Sequence, residues 1–255
     1  MGTAKTKALP DGSSGSAAPT GSHGRDRRQQ GHEAVEDYAK AIYALSRPHP
    51  DDPVSTTAIA ARLGVSPGTV TAMLKRMDGL GLVEHEPYRG VRLSAAGERV
   101  AIEVIRHHRL IESYLAEALG MPWDRVHDEA EVLEHYISEE LEERMSAALG
   151  HPDRDPHGDP IPSRELSFAV SEEALPLSAL EPGAGGVFAR VSDGDPEMLR
   201  YLSQREILPG AKIDVTGRQP FGGPLVIVVD GSEHAIGEGL AERMFIVVGP
   251  GKARP

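Results

Sequence analysis

Two clusters of histidine and carboxylate residues at helical spacing lie in the middle of this sequence. In the larger cluster, four side chains that can bind metal fall within an arc of ~100° on one helix face. They are His127, Glu131, Glu134 and His135. Upstream, His108 and Glu112 stand four residues apart and therefore share a face of another helix. Imidazole and carboxylate groups that converge in this way predict a site for a divalent metal ion.

An apolar stripe runs beside the larger cluster on the same predicted helix. Its members recur at steps of three and four residues: Val126, Ala130, Leu133, Ile137 and Leu141. Because such a stripe packs against another element, we expect the ligands to be half-buried at a helix–helix junction, where a metal ion cross-links the two helices. His107 points away from the neighbouring His108 cluster, and we expect it at the surface.

Composition and charge narrow the function classes. The chain has 255 residues, of which 39% are hydrophobic, and this is enough for two or three small domains. The net charge is −12, and the acidic excess is densest over residues 98–152, where five Lys and Arg residues face thirteen Asp and Glu residues. Crowded carboxylates repel one another, and a bound dication relieves that repulsion.

The sequence also predicts the compartment. The absence of cysteine excludes disulfides, zinc–thiolate sites and thiol catalysis. No stretch approaches the ~20 consecutive apolar residues of a membrane-spanning helix, and the N-terminus lacks the apolar core of a signal peptide. We therefore expect a cytoplasmic protein with no membrane partner.

Residues 54–77 have the pattern of a helix-turn-helix, in which two short helices are joined by three or four residues. Gly64 supplies the tight turn. Ser66 is the expected N-cap of the second helix, and Pro67 suits its first position.

A β-hairpin with a basic tip follows, because residues 82–86 and 90–93 flank Pro87-Tyr88-Arg89. This hairpin is the wing expected of a winged helix. The second helix should approach base edges in the major groove with its N-terminal end, while the wing tip suits phosphates or the minor groove. The candidate DNA contacts are Ser66, Pro67, Thr69, Thr71, Lys75, Arg76 and Arg89. Capping or surface solubility is the alternative role of these side chains.

After residue 183 the pattern changes to short strands. The candidate strands are residues 187–191, 213–215, 225–229 and 245–248, with a short helix near residues 196–205. Asp230-Gly231 is a typical hairpin-turn pair. Together these elements predict a small SH3-like barrel.

Three segments together resemble the diphtheria-toxin-repressor family of metal-dependent transcription regulators. They are Arg106-His107-His108-Arg109-Leu110-Ile111-Glu112, the run Val126-His127-Asp128-Glu129-Ala130-Glu131-Val132-Leu133-Glu134-His135, and Asp155-Pro156-His157-Gly158-Asp159-Pro160-Ile161-Pro162. The resemblance covers about residues 35–250 and is strongest to the actinobacterial manganese-responsive members. It implies a mainly α N-terminal half, with a winged helix-turn-helix and a helical dimerisation domain, followed by a C-terminal all-β SH3-like small barrel.

The expected domains follow in chain order. They are a disordered tail (1–33), a winged helix-turn-helix DNA-binding domain (34–97), a helical metal-binding and dimerisation domain (98–152), a linker (153–182) and an SH3-like domain (183–250). The tail has no periodicity, and its composition suits either solubilisation or nonspecific contact with DNA phosphates. The Pro-, Asp- and Gly-rich residues 150–163 suit a linker or an extended crossing segment.

The resemblance also implies two ligand sets. The ancillary set is His108, Glu112 and His127, to which Asp195 or Glu197 of the third domain is the weakest addition. The primary set is Asp37, Glu131, Glu134 and His135. Iron-responsive members place methionine at the Asp37 position and cysteine at the Glu131 position, so carboxylates at both favour Mn²⁺. Two-domain manganese-responsive members carry a further glutamate where this chain has Lys40, which argues against their dinuclear geometry.

We therefore expect a Mn²⁺-dependent repressor of metal-homeostasis genes, rather than an enzyme. It should bind double-stranded operator DNA as a homodimer, with a primary and an ancillary ion in each subunit, and the metal should lock the winged-helix domains for DNA binding. An iron-responsive regulator, activated by Fe²⁺, is the main alternative. A metalloenzyme such as a hydrolase, which no His-Glu-x-x-His motif supports, and a metal-independent winged-helix regulator are the others.

Overall fold

The computed structural model describes residues 22–47, 49–86, 89–169 and 173–249, with side chains from residue 31 onward. The predicted fold class is confirmed, because a helical N-terminal half is followed by a six-stranded antiparallel sheet. Within the described ranges, no helix is both long and apolar enough to cross a bilayer.

The first helix begins earlier than the sequence predicted. Helix α1 spans Ser22–Ser46, so residues 22–33, which we expected in a disordered tail, are helical. Residues 1–21 of that expected tail lie outside the described residues. The apolar side chains Val35, Tyr38, Ala39 and Ile42 bury one face of α1, and this burial explains why the helix is held against its neighbours.

The first hydrophobic core confirms the predicted winged helix. It is built from α1, α2 (Thr56–Leu63), α3 (Pro67–Gly79), β1 (Val83–Glu86) and β2 (Gly90–Leu93). Gly64 ends α2 in the left-handed conformation with φ 65°, and Ser66 caps α3 because its Oγ accepts a hydrogen bond from Thr69 N at 3.1 Å. The wing-tip residues Pro87 and Tyr88 lie outside the described residues.

Three helices form the second region: α4 (Ala95–Glu117), α5 (Val126–Leu133) and α6 (Glu139–Ala148). Helix α4 links the two regions, because its Ala101 lies in the first core while its Ile111 packs with Val126 in the next. Helix α5 ends at Leu133, so the single long helix expected through residue 141 is wrong. Leu133 and Leu141 of the expected stripe are 39% and 46% exposed.

The C-terminal sheet is the predicted SH3-like domain, with strand order β3-β8-β4-β5-β6-β7. Its elements are β3 (Ala174–Pro176), a 3₁₀ turn (Leu177–Ala179), β4 (Gly185–Val191), α7 (Pro196–Ser203), β5 (Lys212–Arg218), β6 (Leu225–Val229), β7 (Ser232–Ile236), α8 (Glu238–Ala241) and β8 (Met244–Val248). Asp230 and Gly231 form the predicted two-residue turn, with φ values of 47° and 82°. Phe188 lies fully buried in the core of this domain.

The segment of residues 153–163 is a crossing segment that holds α4 against the sheet. Arg106 and Arg109 of α4 donate hydrogen bonds to the carbonyl oxygens of Pro162 and Pro160. From the other side, Val191 N of β4 donates to the His157 carbonyl oxygen at 2.9 Å. The segment therefore connects the helical region to the SH3-like domain by hydrogen bonds as well as by the chain itself.

The substitution Gly158→Ala tests how closely the crossing segment approaches β4. Gly158 has φ 89°, and an added Cβ would lie 2.0 Å from the Ala189 carbonyl oxygen. We expect the free energy of unfolding in urea to fall by about 2–5 kcal/mol, from backbone strain and the clash together. Gly183→Ala is the matched control, because Gly183 has φ 94° but no atom within 4 Å of the added Cβ. Equal losses in the two variants would contradict the close approach.

Candidate metal centre

Helix α1 meets the turn after α5 at the first of two carboxylate–histidine clusters. The His135 Nε2 atom lies 3.0 Å from Asp37 Oδ1 and 3.7 Å from Glu134 Oε1. Each of these three side chains offers an atom within 4.8 Å of the others, which is the spacing of ligands around one ion. The structure thus brings together three of the four residues that we expected in the primary set.

Glu131, the fourth expected primary residue, turns toward Lys40 instead. The Lys40 ammonium donates hydrogen bonds to Glu131 Oε1 at 2.7 Å and to the two Glu134 oxygens at 2.8 and 3.0 Å. The Glu134 side chain is fully buried, and that of Lys40 is 19% exposed. Burial acts to lower the pKa of Lys40, but Glu134 and then Glu131 outweigh it and raise that pKa. Lys40 therefore stays charged and lies among the carboxylates as a tethered cation.

The second cluster contains the three residues expected in the ancillary set. His108 Nε2 lies 3.0 Å from Glu112 Oε1, and His127 Nδ1 lies 3.3 Å from the same oxygen. On its other side, His108 Nδ1 lies 2.5 Å from Glu134 Oε2, so this imidazole joins the two clusters. Burial acts to raise the pKa of Glu112, but His108 holds it well below its usual range.

Asp193, rather than Asp195 or Glu197, brings the SH3-like domain to the second cluster. Its Oδ2 lies 3.4 Å from His127 Nδ1, and together with His108, Glu112 and His127 it offers ligand atoms within 4.8 Å of one another. Asp195 instead caps α7, because its Oδ1 accepts hydrogen bonds from the backbone N–H groups of Glu197 and Met198. The expectation for Asp195 and Glu197 is therefore corrected to Asp193.

Two side chains that the sequence reasoning missed support the first cluster. Glu36 Oε2 lies 2.6 Å from His135 Nδ1 and holds the ring in place. His107, which we expected at the surface, is buried, with Nδ1 3.2 Å from the Glu134 carbonyl oxygen and Nε2 3.0 Å from Glu142 Oε2. No local signal in the sequence marked the contact of Glu36 with His135, because the two residues lie far apart along the chain.

A third group of side chains, Glu112, Asp155 and His157, lies behind the second cluster. Burial and then the Glu112 carboxylate raise the pKa of Asp155 to about 8. Burial acts to lower the pKa of His157, but Glu112 outweighs it and raises that pKa to about 9. The crossing segment thus contributes two ionisable groups that the ligand sets of the sequence analysis did not include.

Both metal-type clusters open onto cavities at the boundary between domains. A cavity of about 610 Å³ between α1, α2 and α5 is lined by Asp37, Lys40, Glu131 and His135. A second cavity of about 370 Å³ is lined by His108, His127 and Asp193, among others. An ion therefore has a route to each cluster, and donor sets of imidazole nitrogen and carboxylate oxygen fit a divalent first-row metal ion.

The side chains expected to contact DNA are exposed on α3 and on the wing. The exposed set on α3 is Ser66, Pro67, Thr69, Thr71, Lys75 and Arg76. Thr71 Oγ1 donates to the Pro67 carbonyl oxygen at 2.9 Å, and Arg76 lies against Gly31 of α1, so both have local roles as well. Arg89, 60% exposed, pairs with Glu86 at 3.2 Å.

Family models match almost the whole described chain. The models match the N-terminal DNA-binding domain of the iron dependent repressor over residues 32–91, its metal binding and dimerisation domain over residues 94–163, and a FeoA domain over residues 175–248.

Some similar proteins are named for iron and others for manganese. The iron-dependent repressor IdeR of Mycobacterium tuberculosis is 32% identical over 215 residues, covering 79% of this chain and 91% of the relative. The diphtheria toxin repressor of Corynebacterium jeikeium is 37% identical over 182 residues, covering 69% and 75%. A solved manganese-dependent transcriptional repressor in complex with manganese has a TM-score of 0.76 and 38% identity, covering 84% of this chain and 100% of that one.

The protonated histidines of the two clusters predict how stability depends on pH. Burial acts to lower the pKa of His135, but Asp37 and then Glu36 raise it to about 10, and Asp193 and then Glu112 raise the pKa of His127 to about 10. Unfolded histidine titrates near pH ~6.5. Each contribution is therefore complete below that pH and is lost as pH rises toward about 10.

We therefore expect the free energy of unfolding of chelator-treated protein in urea to fall between about pH 7 and pH 9.5. The His127→Gln and His135→Gln variants should each show a smaller fall, while His234→Gln in β7 should behave like the unmodified protein. The account of these two imidazoles fails if all four proteins lose stability equally.

Proposed function

The chain belongs to the iron-dependent repressor family, whose members are metal-dependent transcriptional repressors and not enzymes, and we propose that this protein is a Mn²⁺-responsive repressor. In this proposal Asp37, Glu131, Glu134 and His135 hold the primary ion. His108, Glu112 and His127, with Asp193, hold the ancillary ion. Each subunit binds both ions.

The observation that carries the proposal is the contact between α1 and the turn after α5. Asp37 and Lys40 belong to the DNA-binding domain, whereas Glu134 and His135 belong to the helical domain. A ligand set that is shared between two domains couples their relative position to metal binding, because the ion binds more tightly when both sides are in place.

The donor chemistry supports Mn²⁺ as the effector. The chain has no cysteine, and the side chains in the clusters offer carboxylate oxygen and imidazole nitrogen. The carboxylate oxygens suit Mn²⁺, whereas thiolate and thioether ligands select softer ions. The likeness to a repressor solved in complex with manganese points the same way.

An iron-responsive regulator is the second candidate, since curated relatives at 32% identity are named iron-dependent repressors. Operator binding measured without oxygen, with Mn²⁺ and Fe²⁺ titrated in parallel, separates the two. Activation at lower free Mn²⁺ than Fe²⁺ supports the manganese proposal, and the reverse order supports iron.

In the metal-free protein, Lys40 neutralises carboxylates of the primary set. The Glu134 carboxylate is fully buried, so it needs a positive charge beside it, and the Lys40 ammonium provides that charge from α1. When Glu131 and Glu134 take part in metal binding, the ion supplies the positive charge instead. Lys40 must then leave at least part of this contact, and Asp37 remains as the α1 residue beside His135.

Exposed apolar side chains support a homodimer. Leu133 and Leu141 are 39% and 46% exposed on the segment that matches a dimerisation domain. Burying such a surface against a second copy of the chain removes it from water. Binding to successive major grooves of operator DNA requires a two-fold dimer that presents both α3 helices on one face.

The double variant Glu131→Ala/His135→Ala tests the primary set. We expect it to lose the Mn²⁺-dependent gain in affinity for a duplex from its own promoter region, which is roughly 5–150-fold for a typical allosteric coupling. Fluorescence anisotropy with and without Mn²⁺ measures the gain. Glu129→Ala on the exposed face of α5 is the control and should keep it. A full gain in the double variant would remove these residues from the primary set.

Lys40→Gln tests the tethered cation. Because the ammonium and the ion compete for Glu131 and Glu134, the variant should bind Mn²⁺ at least about tenfold more tightly by calorimetry. The metal-free variant should also unfold more easily, since Glu134 loses the cation beside it. Lys212→Gln, at an exposed lysine of β5, is the control. Unchanged Mn²⁺ affinity in Lys40→Gln would rule out the competition.

A further inference from the structure

The crossing segment brings a histidine and an aspartate against the back of Glu112, and neither belongs to the two proposed ligand sets. The side chains of His157 and Glu112 are both completely buried, and that of Asp155 is 2% exposed. Buried charges of one sign are normally paired with a cation. His108 and His127 contact Glu112 Oε1, but Glu112 Oε2 has no hydrogen-bond partner among the described residues.

The hydrogen bond of His157 to Trp123 fixes which ring nitrogen carries a proton. His157 Nε2 lies 2.8 Å from the Trp123 carbonyl oxygen, and a carbonyl oxygen only accepts. Nε2 therefore carries the hydrogen, and in the neutral ring Nδ1 presents a lone pair. Stacking on the Trp123 ring, with the ring centroids 5.7 Å apart, holds the imidazole in this orientation.

That lone pair faces Glu112 without a hydrogen bond. His157 Nδ1 lies 3.6 Å from Glu112 Oε2, which is too long for a hydrogen bond. Among the residues that the structure describes, neither atom has any other hydrogen-bond partner. Two lone pairs that face each other in this buried place require a positive charge between them, which is a proton on His157 Nδ1 when no ion is bound and a metal ion when one is.

Asp155 completes a set of three donors. One atom each from Glu112, Asp155 and His157 lie within 4.8 Å of one another. The backbone N–H groups of His157 and Asp159 donate to Asp155 Oδ1 at 2.9 and 3.0 Å and fix the carboxylate. Arg109 Nε, 3.5 Å from Asp155 Oδ2, offsets part of the negative charge but does not reach between Glu112 and His157 in hydrogen-bonding contact.

We propose that Glu112, Asp155 and His157 form a further site for a divalent first-row metal ion, with Glu112 as a bridge to the ancillary ion. Ligand bonds of about 2.0–2.2 Å place two donors of one ion about 3–4 Å apart, and the 3.6 Å gap between His157 Nδ1 and Glu112 Oε2 lies in that range. Glu112 Oε1 faces His108 and His127, while Oε2 faces His157. Arg109 and Asp159 line the cavity beside the ancillary cluster and both contact Asp155, so the site lies directly behind that cavity.

The inference rests on the proposed function only for the neighbouring ancillary ion. Its consequence is that the crossing segment, and through it β4, becomes part of the metal centre. Metal binding then fixes the SH3-like domain to α4 through His157, whose carbonyl oxygen already accepts a hydrogen bond from Val191.

Crystals of the full chain grown with Mn²⁺ test this site by anomalous scattering, together with elemental analysis of bound Mn²⁺ per subunit. We expect a peak between Glu112, Asp155 and His157, and the loss of one bound ion per subunit in His157→Phe, which keeps a ring on Trp123. Asp155→Asn keeps the shape of the side chain and should weaken the binding of the same ion. It serves as the second variant if His157→Phe fails to fold. His234→Phe is the matched control and should bind as many ions as the unmodified protein.

The outcomes separate the inference from the proposed function. Peaks at the primary and ancillary residues with none at His157 would overturn the inference and leave the proposed function standing, with a proton on His157 Nδ1 in place of the ion. An equal ion count in His157→Phe and the unmodified protein would overturn it as well. Absence of peaks at all three places would overturn both.

Discussion

The fully buried carboxylate of Glu134 is the constraint on which the rest of the metal centre depends. A buried carboxylate without a partner costs several kcal/mol. His108 contacts one Glu134 oxygen, and Lys40, which comes from a different domain, contacts both. Whatever neutralises Glu134 therefore also decides how α1 lies against the turn after α5. A metal ion or the Lys40 ammonium can neutralise the Glu134 carboxylate. The two need not hold α1 in the same position.

Helix α4 connects the buried Glu134 carboxylate to all three regions of the molecule. Its His108 contacts Glu134 on one side and Glu112 on the other, so the two clusters share one charged network. The SH3-like domain reaches that network through Asp193, and the crossing segment reaches it through His157. The C-terminal domain and the DNA-binding domain are thus positioned by one charged network, in which His108 connects Glu112 to Glu134.

Local signals in the sequence were sufficient for most of the elements, but not for the start of α1, the end of α5 or the pairings between elements. Ser66 and Gly64 marked the helix-turn-helix because capping and left-handed turns involve only adjacent residues. The contact of Lys40 with Glu134 joins positions 94 apart, and no periodicity reports such a distance. The end of α5 was missed although Ser138, the N-cap of α6, marks the start of a new helix. The contact of the buried His107 with the Glu134 carbonyl oxygen joins positions 27 apart and has no local signal. Asp195 and Glu197 were expected as ligands, although Asp-Pro-Glu at a helix start is typical of an N-cap.

The central claim is that metal binding at Asp37, Glu131, Glu134 and His135 fixes the DNA-binding domains relative to each other. Because the chain has no cysteine, a single Gly79→Cys substitution at the exposed end of α3 can carry one spin label per subunit. Double electron–electron resonance then measures the distance between the two α3 helices of the dimer. The account predicts that Mn²⁺ narrows this distance distribution, and that Asp37→Ala abolishes the narrowing. A distribution of the same width with and without saturating Mn²⁺ would contradict it.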